Sequence, residues 1–201
     1  MEGLRRQVES ARATSAQVRE RLSLHGPTAV YLGALRADKR LDLLLVAAER
    51  ISSRIAGFTL IIGGDGPERR VIDTALATSP WLRYVGPVFG WDKAAILASA
   101  DVLLQPAAMG LVVLDAYAAG LPVVTFDRAS HSPEEEYLRD GIEGIRVPGT
   151  DSTAFADAVV RLLDDPAIRD VLARGAMAAG STHSIEDMAR RFAEGIEAAL
   201  R

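Results

Sequence analysis

Phe58-Thr59-Leu60-Ile61-Ile62-Gly63-Gly64-Asp65-Gly66-Pro67 is the stretch on which the fold turns. A short β-favouring run, without the apolar–polar alternation of a half-solvated strand, stops at once on glycines and a proline. Val71, Ile72, Ala75 and Leu76 then recur at helical spacing. Strand, glycine turn and helix make the front of a βαβ unit. The same grammar extends both ways. Upstream, Ala29-Val30-Tyr31-Leu32 ends at Gly33, and Leu41, Leu44, Ala48, Ile51 and Ile55 follow at helical spacing. Downstream, strands at Leu82 to Val85, Val102 to Leu104, Val123 to Phe126 and Ile145 to Val147 alternate with helices at Asp92 to Ser99 and Leu111 to Ala119. Short apolar strands separated by helices predict an α/β fold: a doubly wound, six-stranded parallel sheet of Rossmann-like type. Its crossovers are right-handed and its ligands bind at the C-terminal strand ends.

Extra helices are expected at both termini. Leu4, Val8, Ala11, Val18 and Leu22 predict one long amphipathic helix, stopped by Leu24-His25-Gly26-Pro27. Three more helices are expected at Ala154 to Leu163, Ile168 to Ala179 and Ile185 to Leu200. This divides the chain into a linker helix, residues 1–26, that packs on one domain, residues 27–201. No repeat or low-complexity segment interrupts it.

The 201 residues, 49% hydrophobic and 25% charged, are enough for one well-filled core and exclude a disordered or fibrous chain. Zero cysteines exclude a disulfide scaffold, a thiolate metal site and a cysteine nucleophile. A net charge of −4 speaks against broad nucleic-acid binding, which needs clustered positive surface. No apolar run approaches the roughly 20 residues that span a bilayer. Arg5, Arg6, Arg12, Arg19 and Arg21 spread through the first helix, unlike a signal peptide. A cytoplasmic protein without a transmembrane segment is the expectation.

Four loops carry candidate chemistry. Gly33-Ala34-Leu35-Arg36-Ala37-Asp38-Lys39-Arg40 joins the first strand to its helix; it reads as a phosphate cradle or as an ordinary loop with solvated cations. Gly63-Gly64-Asp65-Gly66-Pro67-Glu68 permits close ligand approach, or is a tight turn with Asp65 capping a helix. With Arg69 in the third glycine's place it is not the dinucleotide fingerprint, nor is it a Walker loop. A helix starting near Gly110 would aim free amides at the sheet's edge, with Asp115 a turn further inside an apolar helix. That carboxylate needs a partner, from ligand hydroxyls or a neighbouring backbone amide. Finally, His131-Ser132-Pro133-Glu134-Glu135-Glu136 follows a strand; the helix dipole accounts for most of its acids, and His131 is a candidate at the site mouth. Neither a His pair at metal-ligand spacing nor a G-x-S-x-G elbow is present.

In this order, the four loops resemble the C-terminal half of the GT-B glycosyltransferases, the retaining family 4 or group 1 type, from Tyr31 to about Val147. The family's first segment reads G-R-L-x-x-x-K-G, with Arg and Lys on the donor diphosphate. Lys39 matches the Lys, Ala34 stands where the Arg would be, and Arg36 is the candidate substitute. Gly64, Asp65 and Gly66 match the G-x-G-P turn, and Val88-Phe89-Gly90 looks like the V-x-F-x-G stretch against the nucleotide base. In P-S-x-x-E-G-F-G-L-V-x-L-E-A, Gly110, Leu111 and Val112 match the amides on the distal phosphate, and Asp115 the acid on the ribose hydroxyls. Ala107 falls where the sugar-holding Glu belongs; Glu134 and His131 are the remaining candidate sugar contacts, and the catalytic residue is unassigned.

The resemblance implies the donor-binding domain of an enzyme that transfers a hexosyl unit from a nucleoside diphosphate sugar. It implies no cofactor and no metal, and an N-terminal acceptor domain absent from this chain. The chain alone is then expected to be inactive; any peripheral membrane contact would belong to the absent domain. Alternatives are a degenerate, non-catalytic nucleotide-sugar-binding module, a nucleoside diphosphate sugar epimerase of GT-B fold, and an unrelated flavodoxin-type domain.

Overall fold

The structure, a computed structural model, describes residues 2–128, 133–182 and 185–200. Two helices, α1 (Glu2–Arg12) and α2 (Ser15–Arg21), precede the first βαβ units. These run β1 (Thr28–Leu32), α3 (Leu41–Ser52), β2 (Thr59–Gly63), α4 (Arg69–Leu76), β3 (Leu82–Gly86) and α5 (Gly90–Ala98). The second half runs β4 (Val102–Leu104), α6 (Val112–Ala119), β5 (Val123–Phe126), β6 (Gly144–Val147), α7 (Ser152–Asp164), α8 (Pro166–Thr182) and α9 (Ile185–Ala199). Short 3-10 turns lie at Ala37–Lys39 and Pro133–Tyr137.

Among the described residues the strands form one six-stranded sheet in the order β3-β2-β1-β4-β5-β6, every neighbouring pair parallel. This is the doubly wound order, and chain direction along the sheet reverses between β1 and β4. All five residues of β1 and of β2 are buried, which is why neither reads as alternating in sequence. The pleat still sorts them. Ala29, Tyr31, Leu60 and Ile62 join the core under α3 and α7, while Val30, Leu32 and Ile61 join the core under α5, α6 and α8.

The single N-terminal helix expected from periodicity is broken at Ala13-Thr14. The Thr14 amide and hydroxyl both donate to the Ala11 carbonyl, at 2.9 and 3.0 Å. A threonine hydroxyl that turns back on the preceding turn competes with helix continuation, and spacing of apolar residues does not register that competition.

Both pieces pack on the domain through buried Val8, Ala11 and Val18. Arg19 fastens the second piece: its guanidinium donates to the carbonyls of Ser99 at 2.9 Å and Gly26 at 2.7 Å, beside buried Thr28. Arg19→Ala leaves these half-buried carbonyls without their charged donor. We expect a loss of about 2 kcal/mol in thermal or urea denaturation. No change in midpoint would remove Arg19 as a clamp. No helix among the described residues is long and apolar enough to cross a membrane.

Candidate functional site

Ligands of doubly wound sheets sit where strand order reverses, beyond the C-terminal strand ends. Here that place lies between the loop after β1 and the loop after β4. The chain brings a cation to it: Lys39 Nζ donates to the Ala108 carbonyl, across the reversal point. Two residues beyond Ala108, the amides of Gly110, Leu111 and Val112 donate to no acceptor among the described residues. They are the free N–H groups at the start of α6, whose helix begins at Val112. Lys39 thus meets the loop that carries these amides, and both contribute positive potential there. Half-burial lowers the Lys39 pKa from the ordinary lysine value; Asp38 and Glu134 pull the other way, and Arg36 adds to the lowering.

The β1 and β2 loops are stitched to each other. The Gly33 amide donates to the Gly63 carbonyl at 3.0 Å, Leu35 to Asp65 at 2.9 Å, and Glu68 back to Leu35 at 2.8 Å. A Cβ at Gly64 would stand 1.8 Å from the Gly33 carbonyl oxygen, so only glycine admits this approach. Buried Tyr31 braces the first loop through a 2.9 Å bond to the Ala34 carbonyl, and Tyr84 braces the second through 2.6 Å to Gly64. Asp65 does not cap a helix: its carboxylate accepts the Gly66 amide at 2.8 Å, inside its own turn.

Beside these loops opens a cleft of about 450 Å³, lined by Gly33, Ala34, Gly64, Asp65, Val88 and Phe89, with Lys93 at its edge. Phe89, at the wall, is 78% exposed. The V-x-F-x-G spacing is met by Leu82-Arg83-Tyr84-Val85-Gly86 in β3 and not by Val88-Phe89-Gly90, whose three residues are adjacent and form the turn into α5.

Several candidates are thus gathered, and Arg36 is not. Arg36 forks onto Asp38 at 2.9 and 3.0 Å with 60% of its side chain exposed, so in this structure its charge is spent locally. His131 lies outside the described residues. Glu134 sits in the second 3-10 turn, its Oε2 buried and without a hydrogen-bond partner among the described residues. Its neighbour Glu135 is paired with Arg146 at 3.1 Å. Ala107 is buried and brings no polar side chain to the position where the resemblance places a carboxylate.

Asp115 has its protein partner: Lys93 Nζ stands 2.8 Å from Oδ2, each side chain 27% exposed. Lys93 escaped the sequence reading. Its signal was there, a single cation facing the run Ala94-Ala95-Ile96-Leu97 on one helix and a single acid in an apolar helix nearby. Isolated opposite charges on two apolar helices are candidates for each other. Among the described residues no three His, Asp or Glu side chains gather as a metal site would need.

The model of a family described as glycosyl transferases, group 1, matches residues 26–165. A phosphatidyl-myo-inositol mannosyltransferase of Mycobacterium leprae is 35% identical over 150 residues, 72% of this chain and 39% of that one. A D-inositol 3-phosphate glycosyltransferase of Salinispora tropica is 32% identical over 175 residues, 79% of this chain and 36% of its own. The chain thus spans under two fifths of the length of these relatives. Among solved structures, Anabaena HepE in complex with UDP-glucose superposes with a TM-score of 0.77 at 18% identity, covering 92% of this chain and 53% of that one. Sucrose-phosphate synthase from Thermosynechococcus elongatus does so with 0.76 at 22% identity, over 92% and 49%. At these identities the superpositions speak for the fold.

Proposed function

Because the chain belongs to the group 1 glycosyl transferases, with residues 26–165 matching the family model, we propose that it is the donor-binding half of a retaining glycosyltransferase acting on a nucleoside diphosphate sugar. The observation that carries this is the meeting of Lys39 with the loop whose free amides, Gly110 to Val112, begin α6. A cation and several N–H groups aimed at one spot suit a diphosphate, which gathers negative charge as the bond to the anomeric carbon breaks. In this reading Lys39 and the amides, and no metal ion, meet that charge. The departing diphosphate keeps the bonding electrons, an acceptor hydroxyl oxygen takes its place at carbon with retention, and that hydroxyl's proton passes to an oxygen of the departing diphosphate.

Around this centre the other groups take distinct parts. Asp115 receives ribose hydroxyls, the Gly64-Asp65-Gly66 turn and the Val88-Phe89 wall flank the base, and Glu134 holds a donor-sugar hydroxyl. A buried carboxylate oxygen with no partner is what such a hydroxyl would satisfy. The acceptor comes from a second domain, in line with the relatives being more than twice as long as the part they share with this chain.

Calorimetric titration of the chain with UDP, GDP and ADP tests the reading. One of the three is expected to bind with a Kd in the micromolar range, on the order of −8 kcal/mol. Absence of binding by all three overturns it. The buried Ala107 favours one other reading, a nucleotide-sugar-binding module without transfer. Covalent joining of this chain to a family acceptor domain, followed by an assay for transfer, separates the two.

A further inference from the structure

The Lys93–Asp115 pair joins α5 to α6 at the edge of the cleft, and its stoichiometry is incomplete. Lys93 has three N–H donors and gives one to Asp115 Oδ2 at 2.8 Å. Asp115 Oδ1 has no hydrogen-bond partner among the described residues. Side by side, partly exposed and held by two helices, the pair presents a free acceptor and free charged donors. A vicinal diol presents the matching set, one hydroxyl to donate and one oxygen to accept. Aspartate alone would do this poorly. Its short side chain, set among apolar neighbours in α6, would be free to rotate and without a fixed partner. The ammonium supplies the opposite charge and fixes the rotamer.

We propose that Lys93 is a second ribose-recognition residue: it holds the Asp115 carboxylate in place, and the two together read the nucleotide's 2′,3′-diol. The inference rests on the donor-nucleotide reading above and adds to it a residue and a specificity. It predicts discrimination against deoxyribose that depends on Lys93.

The test titrates the chain with UDP, GDP and ADP and with the 2′-deoxy form of each, for wild type, Lys93→Met and Lys93→Arg. Wild type is expected to prefer the ribonucleotide roughly tenfold or more, the scale of a hydrogen bond to a charged group. Lys93→Met should bring that ratio close to one with little change for the deoxynucleotide, and Lys93→Arg should restore most of it. Three outcomes overturn the inference and leave the proposed function standing: no ribose preference in wild type, an unchanged ratio in Lys93→Met, or equal weakening of both nucleotides. The last would place Lys93 on the phosphates or in the fold. No binding of any nucleotide by wild type instead removes the proposed function, and this inference with it.

Discussion

Gly64→Ala is expected to melt far below wild type, or not to fold. The new Cβ would stand 1.8 Å from the Gly33 carbonyl oxygen and 2.9 Å from its carbon, both backbone atoms that no rotamer change can move. The loops have little freedom to separate. Gly33 is tied to Gly63 at 3.0 Å, Leu35 to Asp65 at 2.9 Å, and Gly64 to Gly86 at 2.8 Å on the other side. Relief of the clash breaks several of these bonds at the ends of buried strands, where water does not replace them. The backbone adds its own cost, because φ at Gly64 is +142°, a conformation side chains avoid at about 1–3 kcal/mol. Together we expect a loss of at least about 3 kcal/mol, roughly 10 °C in a domain of this size.

Gly86→Ala separates the two contributions. Gly86 has φ of +71° and open space around its would-be Cβ, so only the backbone cost applies. It should lose about 1 kcal/mol, a few degrees. Thermal denaturation followed by circular dichroism distinguishes the variants. Equal midpoints for Gly64→Ala and Gly86→Ala would mean that the approach of the two loops is not what demands glycine.

This pair also shows why the fold was easier to read than the site. Strands buried on both faces announce themselves as continuous runs, and Thr28–Leu32 and Thr59–Gly63 lie within a residue of expectation. The glycine turn announced close approach as well. Its object, the Gly33 carbonyl, was not legible, because the contact joins residues on different strands. Partnership was the general blind spot. Lys39 and Arg36 look alike in sequence, yet one reaches Ala108 across the reversal point and the other folds onto Asp38, its neighbour but one. Asp115 was singled out as a carboxylate in need of a partner, but Lys93 becomes that partner only once α5 and α6 are packed side by side. Local competition had the same effect in α1 and α2, where one hydroxyl at Thr14 overrides an otherwise unbroken helical period.

Lys39→Ala is expected to have the largest effect on binding, and its charge state makes the prediction sharp. Whichever nucleoside diphosphate binds wild type should bind the variant roughly a hundredfold more weakly. A charge-assisted contact in a half-buried site is lost, and the amides at the start of α6 are left alone with the phosphates. The corresponding monophosphate should lose less, since the proposed function sets the distal phosphate against Lys39 and Gly110 to Val112. Arg36→Ala is the companion. Its guanidinium is already forked onto Asp38 and mostly exposed, so only a few-fold loss is expected, and that loss should fade with added salt. Burial, the largest influence on Lys39, lowers its pKa below the ordinary lysine value of about 10.4. A bound diphosphate favours the ammonium and raises that pKa again. Free protein therefore releases the Lys39 proton at a lower pH than the complex does. Affinity should hold at neutral pH and fall as pH rises through the free-state pKa, earlier than an exposed lysine would allow. The fall should be absent in Lys39→Ala. Titrations of both proteins at neutral pH and at stepwise higher pH decide it, and parallel pH profiles would take Lys39 off the diphosphate.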